Sequence, residues 1–195
     1  MKLPISVFCI LSFSASVIAQ TDTTIWSAIQ KAQANEYMFS YPDRWKKYEF
    51  ANSATKELKF DFSGVGIPAM YNSSPVTGMF SMKINQGTNQ NSMEDFVITE
   101  INSVPDKVQG PGKNYYVDTL TIQSGEKGIL YSAHYYRRSK AFNISRYDMV
   151  VYSEKRNTTY WLSSIIQYKD ASYKLAEELK LKAYLSRVYQ SLLLR

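Results

Sequence analysis

His134 is the only histidine in the chain, so most hydrolytic chemistry would have to rest on it. It lies in Leu130-Tyr131-Ser132-Ala133-His134-Tyr135-Tyr136, where a two-residue alternation places it on one face of a strand. A serine-hydrolase triad would need it as base beside a nucleophile, and no G-x-S-x-G elbow accompanies it. Zinc needs several Cys or His ligands. The one cysteine, Cys9, sits in an N-terminal apolar run. The sequence has no D-x-[DN]-x-[DN]-G calcium loop. His134 therefore reads as a surface or hydrogen-bonded packing residue, dispensable for function. No catalytic, metal-binding or cofactor-binding residue is assigned, and no cofactor is expected.

Carboxylates and glycines give little more. A glycosidase would set two carboxylates across a cleft. Glu94 and Asp95 fall in the first turn of an expected helix, where its dipole accounts for them. Asp61 stands on a strand without an identifiable partner. Gly64-Val65-Gly66-Ile67-Pro68-Ala69 matches a dinucleotide fingerprint in form, but Pro75 and the loop composition oppose the helix it needs, and position 85 is Asn where an acid is required. The remaining feature is tyrosine, sixteen in all. The pairs Tyr115-Tyr116 and Tyr135-Tyr136 should each place one ring inward and one outward, because strand neighbours face opposite sides. Cross-strand packing explains them, with a Tyr-lined recognition face as the functional alternative.

These residues need a scaffold, and the N-terminus bounds it. Lys2, the apolar stretch from Ile5 to about Ala15 and Val17-Ile18-Ala19 form a secretory signal peptide, with cleavage expected before Gln20. The apolar run is too short for a membrane-spanning helix, which needs about 20 residues. No transmembrane helix is expected after cleavage, and the protein should be periplasmic or secreted. The remainder is of ordinary size for one domain. It lacks cysteine, so packing rather than disulfides must stabilise it. Losing Lys2 lowers the formal charge of +6 by one. Arg137, Arg138 and Lys140 mark one expected turn, and Lys155 and Arg156 the next, at the opposite end of the sheet. So dispersed a charge argues against nucleic-acid binding. Asn72, Asn143 and Asn157 begin glycosylation acceptor patterns.

Along the chain, a lead segment over 20–35 precedes a single domain over 36–195. Ile25, Trp26, Ile29 and Ala32 have helical spacing, so a short helix is expected over 24–34. Strands follow at 36–41 and 48–50 around the Pro42-Asp43-Arg44-Trp45 corner, then at 58–62 and 79–84. Ser92 is expected to cap a helix with Met93, Phe96, Val97, Ile101 and Val104 on one face. From Tyr115 to about Tyr168 four strands with short connections read as an antiparallel meander. A helix over 171–194 closes the chain, with Leu181, Leu185, Val188 and Leu192 on one stripe. The fold class is α+β, an antiparallel sheet with that C-terminal four-strand meander.

Phe39-Ser40-Tyr41-Pro42-Asp43-Arg44-Trp45, Ser92-Met93-Glu94-Asp95-Phe96, Gly112-Lys113-Asn114-Tyr115-Tyr116 and the final helix with Tyr189-Gln190-Ser191-Leu192 together resemble the PsbP-like superfamily. The resemblance covers most of 36–194. It implies an α/β/α sandwich, with the sheet between helices, in a protein that binds or assembles rather than catalyses, and it carries no catalytic residues. The expected function is non-catalytic binding of an unknown protein or envelope component, or assistance to an envelope assembly. Alternatives are a binding protein for a small apolar or sugar ligand and, third, a carboxylate-mechanism hydrolase. The expected contact surface is Ile67, Met70 and Tyr71, apolar residues of the long loop from Ser63 to Gly78.

Overall fold

The computed structural model describes residues 29–48, 57–62, 77–87, 90–103, 107–108, 115–137, 142–168 and 175–195. The expected signal peptide and the contact residues Ile67, Met70 and Tyr71 lie outside them. The described residues are mostly antiparallel sheet with two helices, an α+β architecture.

Around Pro42 the chain behaves as its residues dictate. Strand β2 (Tyr37–Pro42) runs extended into the proline, and the amide of Trp45 donates to the Pro42 carbonyl at 3.1 Å to close the corner. Strands β3 (Lys46–Tyr48), β4 (Glu57–Asp61) and β5 (Thr77–Gln86) follow. The strand after the corner thus begins at Lys46, directly after Trp45, and not at Tyr48.

Next come α1 (Gln90–Asn102), β6 (Lys107–Val108), β7 (Tyr116–Thr121), β8 (Lys127–Arg137), β9 (Phe142–Ser153) and β10 (Thr158–Tyr168). Strands β7 to β10 each pair antiparallel with the next. The main sheet runs β3-β4-β5-β10-β9-β8-β6, with β7 also on β8. Asn157 closes the β9–β10 turn in the left-handed region at φ 46, a conformation Asn tolerates.

Three expectations are corrected. The described part of the expected lead helix, Ile29–Gln33, is strand β1, paired with β2 from Ile29↔Pro42 to Gln33↔Met38. Pairing with a neighbouring strand overrides a weak helical spacing. Ser92 lies inside α1, not at its cap, since that helix begins at Gln90. The last helix, α2, spans Leu175–Gln190 and gives way to a short strand, β11 (Leu193–Leu194), on β2. It stops because the Ser191 hydroxyl binds the Val188 carbonyl at 2.6 Å and accepts the Ser40 amide at 2.8 Å. That diverts the chain into the β1-β2-β11 sheet.

Alternation divides the core in two. One cluster joins Phe39, Trp45, Phe60, Phe80, Tyr147, Met149, Tyr160 and Leu162 to the α2 stripe of Leu181, Leu185, Val188 and, just beyond the helix, Leu192. The other joins Tyr131, Ala133, Tyr135, Val150 and Trp161 to Met93, Val97 and Ile101 of α1. Neighbouring residues such as Leu130 and Tyr131 enter different clusters, because the strand sends them to opposite faces. Phe96, expected on the buried face of α1, is 47% exposed and meets Trp161 only edge-on.

Candidate functional site

The contact surface expected from sequence leaves the sheet between β4 and β5, and the two ends of that connection are fixed. The Phe62 amide donates to the Gly78 carbonyl at 3.0 Å. A Cβ on Gly78 would sit 2.4 Å from the Phe62 ring, so only glycine allows this approach. Phe62 is buried and stacks on Trp45 with ring centroids 4.7 Å apart. Trp45 in turn donates its indole N–H to the Tyr184 hydroxyl of α2 at 2.8 Å. The loop therefore springs from an aromatic anchor.

Beside that base two large apolar side chains face solvent. Met79 is 49% exposed and Tyr48 47%. The strand register sets Met79 opposite Asp61 and Lys59 opposite Tyr48, and the Tyr48 hydroxyl donates to Asp61 Oδ2 at 3.3 Å. Sequence reasoning left Asp61 without a partner and did not single out Met79 or Tyr48. The exposed position of Met79 in the alternation of β5 was the signal available.

His134 is half-buried on β8. Its Nδ1 lies 3.1 Å from Ser145 Oγ and 3.4 Å from the Tyr168 hydroxyl, and burial pushes its pKa down to about 4. The ring is thus neutral at pH 7. An unfolded histidine titrates near 6.5, so between about pH 6.5 and 4 the unfolded chain binds more protons than the folded one. Stability is present above that window and is lost as pH falls through it. Discounted for partial solvent screening, the loss should be of order 1–2 kcal/mol. Urea melts of wild type and His134→Gln at pH 7 and pH 4.5 check this: the variant should lose that much less on acidification.

Glu94 and Asp95 lie beyond the first turn of α1, so the helix dipole does not account for them. Glu94 instead accepts the Tyr131 hydroxyl at 2.6 Å, and burial with this carboxylate raises the phenol's pKa. Both tyrosine pairs split as expected. Tyr115 packs on Tyr131 while Tyr116 is 75% exposed, and Tyr135 is buried while Tyr136 is exposed. Asn143 is buried in β9, which closes that acceptor pattern in the folded state, whereas Asn157 is exposed.

Sequence reasoning missed a polar cluster beneath α1. Arg146 Nε donates to Asp148 Oδ2 at 2.5 Å, the Trp161 indole N–H donates to Asp148 Oδ1 at 2.9 Å, and Glu100 of α1 lies 3.6 Å from the guanidinium. Burial opposes the Arg146 charge, but Asp148 outweighs it and holds the guanidinium pKa above its usual value. Every charge here has a counter-charge, which is a structural arrangement. Among the described residues no group of three His, Cys, Asp or Glu side chains can hold a metal ion, and no helix is long and apolar enough to cross a membrane. A solvent-open cavity of about 330 Å³ beside the β9–β10 turn is lined by Glu126, Lys127, Tyr152, Ser153, Glu154 and Lys155. So charged a lining does not suit an apolar ligand.

No protein-family model matches the chain, and no curated protein does. Solved structures do. The Ran-binding protein Mog1p of Saccharomyces cerevisiae is 7% identical with a TM-score of 0.53, over 85% of this chain and 95% of that one. A mutant of Mog1 gives 7% identity and a TM-score of 0.55 with the same coverage. LpqN of Mycobacterium tuberculosis, involved in cell envelope biogenesis, is 16% identical with a TM-score of 0.46, over 88% of this chain and 94% of that one. The chain therefore has the fold of Mog1p, which supports the PsbP-like fold expected from its sequence motifs.

Proposed function

We propose that this is an exported, non-catalytic protein that uses a PsbP-like α/β/α sandwich to bind a macromolecular partner or to assist an envelope assembly. The contact surface is centred on Ile67, Met70 and Tyr71. The observation that carries the reading is the exposure of Met79 and Tyr48 at the base of the loop that bears those residues. Exposed apolar side chains gathered at one place mark interaction sites more often than isolated ones do. The fold of Mog1p, named for binding Ran, is consistent with such a role without naming a partner for this chain.

Two experiments test it. Intact-mass measurement of the exported protein should show a chain beginning at Gln20, and the full-length chain in the membrane fraction would refute export by a cleaved signal. Replacing Ile67 and Met70 together with Ser should abolish capture of the partner from envelope extract while the melting temperature stays put. If the two side chains cap the core instead, the double change should cost roughly 2 kcal/mol or more, with binding per folded molecule unchanged.

A further inference from the structure

Among the described residues, strand β7 is paired on one side only, by β8, from Tyr116↔Ser132 to Thr121↔Lys127. The Ile122 amide donates inward to Glu126, while the Gln123 amide donates to Leu192 outside the hairpin. By alternation the amides of Val117, Thr119 and Thr121 point away from β8. The sequence Tyr-Val-Asp-Thr-Leu-Thr consists of strand-favouring residues around a single charge. Tyr116 is 75% exposed and Val117 57%. Such an edge is a template for a further strand, and native proteins guard it with a charge.

Asp118 is placed to do this twice over. Its Oδ1 accepts the Thr119 amide at 2.8 Å, occupying one of the outward donors. Its Oδ2 is held by Lys182 of α2 at 2.8 Å. The Lys182 hydrogen bond, then the Thr119 amide, hold the carboxyl below its usual pKa, so it stays ionised. Consider two copies pairing antiparallel through β7. Outward donors must face one another, as they do when the two-fold axis passes at Asp118 or at Thr119. In the first register Asp118 meets Asp118 across a non-hydrogen-bonded pair, with Cα atoms only about 4.5 Å apart. In the second, Thr119 meets Thr119 and needs the amide that the Asp118 carboxylate already holds.

We propose that β7 is a latent pairing edge for a second copy of this chain and that Asp118 keeps it closed. This goes beyond the partner-binding reading and does not depend on it. Sedimentation velocity through the micromolar range, with hydrogen exchange of the β7 amides, tests it on the purified protein. Wild type should show exchange at Val117 and Thr121 that is independent of concentration. Asp118→Thr should dimerise at least about tenfold more tightly, with protection spreading to Val117, Thr119 and Thr121. Adding Val117→Pro, which removes an outward donor and no bond to β8, should restore the monomer. If Asp118→Thr fails to melt cooperatively, Asp118→Val, which carries neither the charge nor an acceptor for the Thr119 amide, carries the same test, with tighter dimerisation again expected. A folded, charge-free variant that stays monomeric overturns the proposal, and so does a dimer that survives Val117→Pro.

Discussion

Asp148→Ala should destabilise the protein by roughly 3–5 kcal/mol, because it leaves the buried Arg146 guanidinium without its carboxylate. Both residues are almost wholly buried, on the face of β9 covered by α1. The same substitution removes the acceptor of the Trp161 indole N–H. Glu100 cannot compensate: its carboxylate is 3.6 Å away and itself partly in water. Replacing Arg146 and Asp148 together by Met and Leu removes both charges and keeps the volume, so most of the loss should be recovered. Urea unfolding of the two variants separates the outcomes. If Asp148→Ala and the double variant lose equal stability, the ion pair is not what the single change breaks.

The sequence carried β4 and β5 through their alternation and β7 to β10 through connections too short for anything but antiparallel neighbours, but it did not carry β1, β6 or β11. It did not carry the end of α2. Leu192 and Leu194 continue an apolar pattern that helix and strand share at that length, and the competition of the Ser191 hydroxyl for Ser40 becomes visible only once β2 lies alongside. The Arg146–Asp148 pair was hidden for a similar reason. Two opposite charges two residues apart on a strand usually sit on a solvated face. Their burial depends on α1 and on Trp161, which the register brings level with Val150. At the candidate site the apolar content of the loop was legible, as was the corner at Pro42. The clamp of Phe62 on Gly78 was not, since nothing in the residue types says that a ring and a glycine will meet. Ile67, Met70 and Tyr71 remain a proposal resting on their loop's base.

That base can be tested through its anchor. Trp45→Ala should cost roughly 3–5 kcal/mol, the range for deleting a buried aromatic side chain. The indole stacks on Phe62 and packs within 5.4 Å of Phe80, so its loss opens a cavity that the β4–β5 ends cannot fill without releasing the Phe62–Gly78 approach. A second contribution comes from Tyr184, whose hydroxyl accepts the indole N–H at 2.8 Å and whose pKa burial raises above its ordinary value. Trp45→Phe keeps a six-membered ring against Phe62 but loses the five-membered ring and its N–H, so it should cost less than Trp45→Ala, about 1–3 kcal/mol. Denaturant melts give the two stabilities, and binding per folded molecule gives the rest. If the anchor positions the loop, Trp45→Phe should bind normally, whereas Trp45→Ala should bind weakly even where the chain is still folded. Equal binding by both folded variants would show that the contact surface does not depend on the aromatic cluster beneath it.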